Sequence, residues 1–163
     1  MTDRNWGIDT AASRPEEPVG TPATRRKVVL VVEDDRAIGE LIASAISDEP
    51  GYFAIHVEEP TGALETTKQV TPDLMVLDVR LPGMSGFELY DRLQTDPRTR
   101  KVPVLFETAS GSETIDEFHR RGIATYVKKP FDLNELVAYV KRLASGQGPA
   151  TGGPDAPALP PHA

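Results

Sequence analysis

Four short apolar runs each give way to polar residues that share one kind of chemistry. Lys27 to Val32 ends in Glu33-Asp34-Asp35, Leu74 to Leu77 ends in Asp78, Val102 to Phe106 leads to Thr108, and Ala124 to Val127 leads to Lys128-Lys129-Pro130. Carboxylates from two such segments, brought close together, raise one another's pKa and strain the chain, so they need a counter-charge. A hard divalent cation meets that need, and Mg2+ commonly binds through one or two carboxylates together with a substrate phosphate. Lys129 offers a second, fixed positive charge. An Asp, a metal, a hydroxyl and a lysine in one cleft are the parts required to move a phosphoryl group onto a carboxylate. Asp78 would attack phosphorus in line, while the cation, Lys129 and Thr108 neutralise charge on the equatorial oxygens.

Taken singly, each residue has a plainer use. Asp34 or Asp35 can cap a following helix, Thr108 can serve a turn, and Lys129 can be a solvated surface charge. The chemical reading rests on four separate segment ends carrying compatible groups at once.

The elements that must position these groups alternate regularly. The β-branched run Lys27 to Val32 reads as a strand buried on both faces of a parallel sheet. Ile38, Leu41, Ile42, Ala45 and Ile46 then recur on one face of a helix. Phe53 to Val57 predicts a strand, Gly62 to Gln69 a short helix, and Leu74 to Leu77 a third, fully apolar strand. Ser85-Gly86-Phe87-Glu88 has capping-box spacing and opens a helix ending near Thr95, before Pro97. Val102 to Phe106 is a fourth strand, Ser112 to Arg121 a helix stopped by Gly122, and Ala124 to Val127 a fifth strand. Asp132 caps a last helix with Leu133, Leu136, Val137, Val140 and Leu143 on one face. Repeated βα units of this kind imply an α/β fold with a doubly wound, five-stranded parallel sheet and helices on both faces. In such sheets ligands bind beyond the carboxyl ends of the strands, where the polar clusters stand.

The bulk properties narrow the function. A chain of 163 residues with 39% hydrophobic and 26% charged residues holds enough apolar matter for one domain core. A net charge of -7 disfavours direct nucleic-acid binding, which needs a basic field. The absence of cysteine excludes disulfides and thiolate metal sites. No apolar stretch resembles a signal peptide or crosses a bilayer, so a cytoplasmic protein is expected. Residues 1–25 mix Pro, Thr, Ala and opposed charges without apolar period and predict a flexible arm in which Trp6 and Ile8 are the only bulky apolar residues. Residues 26–145 form the expected domain, and the Gly- and Pro-rich residues 146–163 a tail.

VVLVVEDD, LMVLDVRLPGMSGFEL, VPVLFETAS and YVKKPFDLNEL resemble, in order, spacing and context, the signature segments of the response-regulator receiver domain, over roughly Arg26 to Leu143. The resemblance implies a flavodoxin-like sheet of strand order 2-1-3-4-5. It implies that Glu33 and Asp34 are the acidic pair, with Asp34 the direct Mg2+ ligand and Glu33 acting through water, while Asp35 is only their neighbour. Asp78 becomes the phosphoacceptor, the backbone carbonyl of Arg80 a further metal ligand, Thr108 the switch hydroxyl and Lys129 the phosphate-binding lysine. Lys129-Pro130 is then a cis peptide. Tyr126 matches the switch aromatic, and helix four, strand five and helix five, with His119, Arg120, Tyr126 and Tyr139, form the implied output face. His119 is read as a solvated residue and not as a phosphorelay histidine. The implied partners are a sensor histidine kinase or histidine phosphotransfer protein as donor and an output protein as target. No membrane is involved, and a monomer or weak homodimer is expected.

There are departures. Glu107 stands where the family has an apolar or small residue, an acidic group that either perturbs local charge or marks a partner contact. Arg80 occupies a variable position that tunes phosphoryl lifetime in the family, and Glu58 to Gly62 lacks the usual Ala-x-x-Gly pattern. Three other readings compete. A haloacid-dehalogenase-like phosphatase needs a second Asp two positions after the nucleophile, where this chain has Arg80. A dinucleotide or flavin binder needs a Gly-rich turn after the first strand, where this chain has three acids. A receiver that works only by binding, without phosphorylation, is opposed by the complete site and kept open by Glu107.

Overall fold

A computed structural model describes residues 25–109 and 111–146. The arm and tail expected from the sequence therefore lie almost wholly outside the described residues. Five strands and five helices alternate: β1 Lys27–Val32, α1 Arg36–Ser47, β2 Tyr52–Val57, α2 Pro60–Gln69, β3 Leu74–Asp78, α3 Gly86–Thr95, β4 Val104–Thr108, α4 Ser112–Arg121, β5 Tyr126–Lys128 and α5 Leu133–Ala144. The strands form one parallel sheet in the order β2-β1-β3-β4-β5, as the sequence implies.

Strand alternation divides the core in two. Leu30, Val32, Met75, Leu77 and Phe106 pack on one side with Leu89, Leu93 and Phe118. Val29, Val31, Leu74, Val76 and Leu105 pack on the other with Ile42, Ile46, Leu136 and Val140. Each fully buried Leu, Ile or Phe contributes about 1.5–3 kcal/mol relative to leaving it in water, so the central strands set the position of whatever follows them.

Local signals ended most helices where expected. Ser85 accepts from the Glu88 amide at 3.2 Å while the Glu88 carboxylate accepts from the Ser85 amide at 3.1 Å, completing the capping box. Gly122, with φ of 68°, closes α4 in the left-handed conformation that glycine adopts without a Cβ clash. Asp132 caps α5 through the amides of Asn134 and Glu135.

Several boundaries differ from expectation, β2 starting at Tyr52 and β3 ending at Asp78 by one residue each. Helix α2 starts at Pro60, because the fixed φ of proline suits the first helical position. Strand β4 begins at Val104, since Pro103 has no N–H to give to a ladder, and it runs on through Glu107 to Thr108. Strand β5 is Tyr126–Lys128; Thr125 before it turns its hydroxyl to the Val104 carbonyl at 2.6 Å.

Candidate functional site

The register of the sheet lines up three acids. Asp78 is paired with Glu107, and Glu33 follows Val32, which is paired with Leu77. Two residues beyond Val31, Val76 and Leu105, all three side chains emerge on the α1/α5 side of the sheet at its carboxyl edge. One carboxylate oxygen from each lies within 4.8 Å of the other two. Burial is nearly complete, with Glu33 1%, Asp78 5% and Glu107 0% exposed.

The counter-charge is Lys129, which arrives at the end of β5. Its Nζ donates to Glu33 Oε2 at 2.8 Å and to Asp78 Oδ2 at 2.9 Å. Its amide donates to the Thr108 carbonyl at 2.7 Å, and the Lys129-Pro130 peptide is cis. The remaining carboxylate oxygens are held by backbone. Asp78 Oδ1 accepts from the Arg80 amide at 2.9 Å and Glu33 Oε1 from the Asp35 amide at 3.1 Å.

Electrostatics sort the three acids. Burial pushes Glu33 up, but hydrogen bonds with Glu107, Lys129 and the Asp35 amide prevail and bring it down to about 2. Burial raises Asp78, helped by the negative charge of Glu33 and opposed by Lys129. Burial, then the hydrogen bond and charge of Glu33, push Glu107 up to about 9 against the pull of Lys129. Lys129 is raised: burial works against its charge, and hydrogen bonds with Glu33 and Asp78 overbalance it. Neither Glu107 oxygen receives an N–H or O–H from a described residue. Glu33 is thus drawn toward its ionised form and Glu107 toward its protonated form.

Two glycines let this edge close. A Cβ on Gly86 would stand 2.2 Å from the Asp78 carbonyl oxygen, so α3 can start against the end of β3 only without one. A Cβ on Gly39 would stand 2.0 Å from Nε2 of His56, the nitrogen that lies 2.8 Å from the Glu33 carbonyl oxygen. His56 on β2 thereby steadies the loop carrying the acidic run.

Of the residues singled out in the sequence, Glu33, Asp78 and Lys129 are brought into direct contact. Thr108 is buried at the next position along β4. Asp34 is exposed and stands outside the group of three acids. Asp35 is the helix cap, accepting from the Ile38 amide at 3.1 Å, which decides between the two candidates for that task. The Arg80 side chain is exposed while its amide engages Asp78. Tyr126 is half-buried, its ring stacked on Phe118 with centroids 4.5 Å apart. His119 and Arg120 are exposed on α4, and Tyr139 is half-buried on α5. Glu107 is inaccessible, so the reading of it as a partner contact is withdrawn and the perturbed local charge stands. Its membership of the acidic group was missed because the expected strand ended at Phe106. The missing signal is parity: two residues after Leu105 on a strand beside β3, it must share a face with Asp78.

A doubly wound parallel sheet with buried acids and a lysine at its carboxyl edge is an α/β domain of the kind whose sites lie beyond the carboxyl ends of the strands. Residues 29–141 match the family of response regulator receiver domains. The chain is 37% identical over 124 residues to the phosphate regulon transcriptional regulatory protein PhoB of Pseudomonas aeruginosa, covering 76% of this chain and 54% of that protein. It is 36% identical over 119 residues to hybrid signal transduction histidine kinase D of Dictyostelium discoideum, covering 72% of this chain and 8% of that protein. Among solved structures, the signal receiver domain of a signal transduction histidine kinase from Syntrophus aciditrophicus superposes with a TM-score of 0.66 at 31% identity, covering 74% of this chain and 91% of that one. The chain belongs to the receiver domain family of two-component response regulators. It spans about half or less of the length of these curated relatives.

Among the described residues, no helix is long and apolar enough to cross a membrane. The donor set at the strand ends, carboxylate oxygens without nitrogen or sulfur, fits a hard divalent cation.

Proposed function

We propose that residues 26–145 act as a phosphorylation switch, taking a phosphoryl group onto Asp78 from a sensor histidine kinase or a histidine phosphotransfer protein. What supports this most directly is the lysine bridge: one ammonium joins the buried carboxylates of Glu33 and Asp78 at 2.8 and 2.9 Å. A carboxylate so held is poised to attack phosphorus, and the ammonium is free to follow the charge onto the phosphoryl oxygens.

In the reaction a carboxylate oxygen of Asp78 forms the new P–O bond as the P–N bond of the donor phosphohistidine breaks, and the departing imidazole takes up a proton. Glu33, Asp34 and Asp78, with the Arg80 carbonyl, would hold Mg2+, which supplies positive charge to the phosphoryl oxygens when bound. Lys129 exchanges its bond to Asp78 for one to a phosphoryl oxygen, and the Thr108 hydroxyl donates to another. Movement of Thr108 toward the phosphoryl group alters the room left for Tyr126, now stacked on Phe118. The surface formed by α4, β5 and α5 then changes its affinity for an output protein. The chain works in the cytoplasm as a monomer or weak homodimer, without direct contact to nucleic acid or membrane, and turns over no substrate beyond its own phosphorylation and dephosphorylation. Residues 1–25 and 146–163 flank this switch.

The test is intact-mass analysis after incubation with acetyl phosphate and Mg2+. One added phosphoryl group is expected on the unaltered chain, none on Asp78→Asn and none with chelator present. Equal modification of the Asp78→Asn chain refutes the assignment.

A further inference from the structure

Two buried carboxyl groups face each other only when something positive lies between them. Glu107 and Glu33 each bring a carboxylate oxygen within 4.8 Å of the other. Glu107 is fully buried, and no N–H or O–H of a described residue serves either of its oxygens. A cation would fill the gap between them, because oxygens of Glu107, Glu33 and Asp78 spread over no more than 4.8 Å can be spanned by one ion with bonds of about 2.0–2.6 Å.

Charge argues the same way. With all three acids ionised against the single ammonium of Lys129, two negative charges remain on three buried carboxylates. One divalent cation cancels them. Glu107 is also delivered without any rearrangement of backbone, since its pairing with Asp78 across β3 and β4 places it on the same face.

We propose that Glu107 is itself a ligand of the divalent ion, a third buried carboxylate added to Glu33 and Asp78. The inference rests on the reading above that this pocket takes such an ion, and it adds a selectivity. Mg2+ is reluctant to give up its water and usually keeps only one or two carboxylates, whereas Ca2+ accepts six to eight oxygens in flexible geometry and Mn2+ also suits carboxylate sites. A third, enclosed carboxylate therefore favours Mn2+ and Ca2+ over Mg2+.

The experiment is Mn2+ binding to the full chain near neutral pH, followed by the electron paramagnetic resonance of the free ion, with Mg2+ and Ca2+ as competitors. The unaltered chain, Glu107→Gln and Asp34→Asn are compared, each checked for folding by far-ultraviolet circular dichroism. Glu107→Gln is expected to bind Mn2+ roughly tenfold more weakly or worse, a size typical of losing a group that supports a metal site, and to lose more affinity for Ca2+ than for Mg2+. Equal or tighter Mn2+ binding by Glu107→Gln overturns the role of Glu107 and leaves the cation site intact. Absence of Mn2+ binding to the unaltered chain overturns the cation reading itself. Should Glu107→Gln fail to fold, anomalous scattering from Mn2+ in crystals of the unaltered chain decides: an ion bonded to a Glu107 oxygen supports the inference, and one beyond bonding distance refutes it.

Discussion

Replacing Glu107 by Gln should change how stability depends on pH, and the size follows from the site. The Glu107 carboxyl is raised from 4.5 to about 9 by burial and by Glu33. Between those values the folded chain binds one proton that the unfolded chain has released. An acid whose folded pKa is raised stabilises fully below its unfolded value, and that stability drains away as pH rises toward the folded value. The slope is about 1.4 kcal/mol per pH unit, so roughly 4 kcal/mol is lost between about pH 5 and pH 8. That is a large share of the 5–15 kcal/mol by which domains are typically stable. Glu33, lowered to about 2, works in the opposite sense, but its contribution is complete above its unfolded value and lost only as pH falls toward 2. It leaves the window from pH 5 to 8 to Glu107; Asp78, also raised, works in the same sense and is present in both chains. Glutamine keeps the shape and can donate to Glu33 as the protonated acid does; any cost of its second N–H shifts the whole curve without tilting it. Urea unfolding followed by circular dichroism, with chelator present and at several pH values, measures the difference. The variant should gain on the unaltered chain steadily as pH rises. Parallel curves would show that Glu107 is ionised in the folded protein and refute the reasoning.

Lys129→Met should destabilise the ion-free chain near neutral pH by about 3–5 kcal/mol, because it leaves the Glu33 and Asp78 carboxylates buried without their counter-charge; urea midpoints at unchanged m-value report it, and a loss below 1 kcal/mol would show that the pair is balanced by other groups. Gly86→Ala should cost on the order of 1–3 kcal/mol or more, since its Cβ would meet the Asp78 carbonyl oxygen at 2.2 Å. The same substitution should slow phosphorylation by acetyl phosphate, and an unaltered melting temperature together with an unaltered rate would refute the close approach.

Much of this protein was determined by its sequence alone, for a reason that differs between helices and strands. The Ser85–Glu88 box, the Asp132 cap and the Gly122 stop involve partners only a few residues away, so residue type and spacing suffice to place them. The apolar runs Lys27–Val32 and Leu74–Leu77 show their burial directly, because a strand covered on both faces has no polar positions to spare. The acids and lysine at the ends of these runs were equally legible, since a doubly wound sheet always gathers its strand ends at one edge. Only tertiary structure decided the rest. Where β4 ends depends on what β3 and β5 offer it for pairing, so the inclusion of Glu107 and Thr108 was hidden. The needs of Gly39 and Gly86 come from a ring on β2 and a carbonyl on β3, neither of them a neighbour in sequence. The raised pKa of Glu107 is more distant still. It exists because three strands in register press three carboxyl groups together out of water, an energy that no single segment contains.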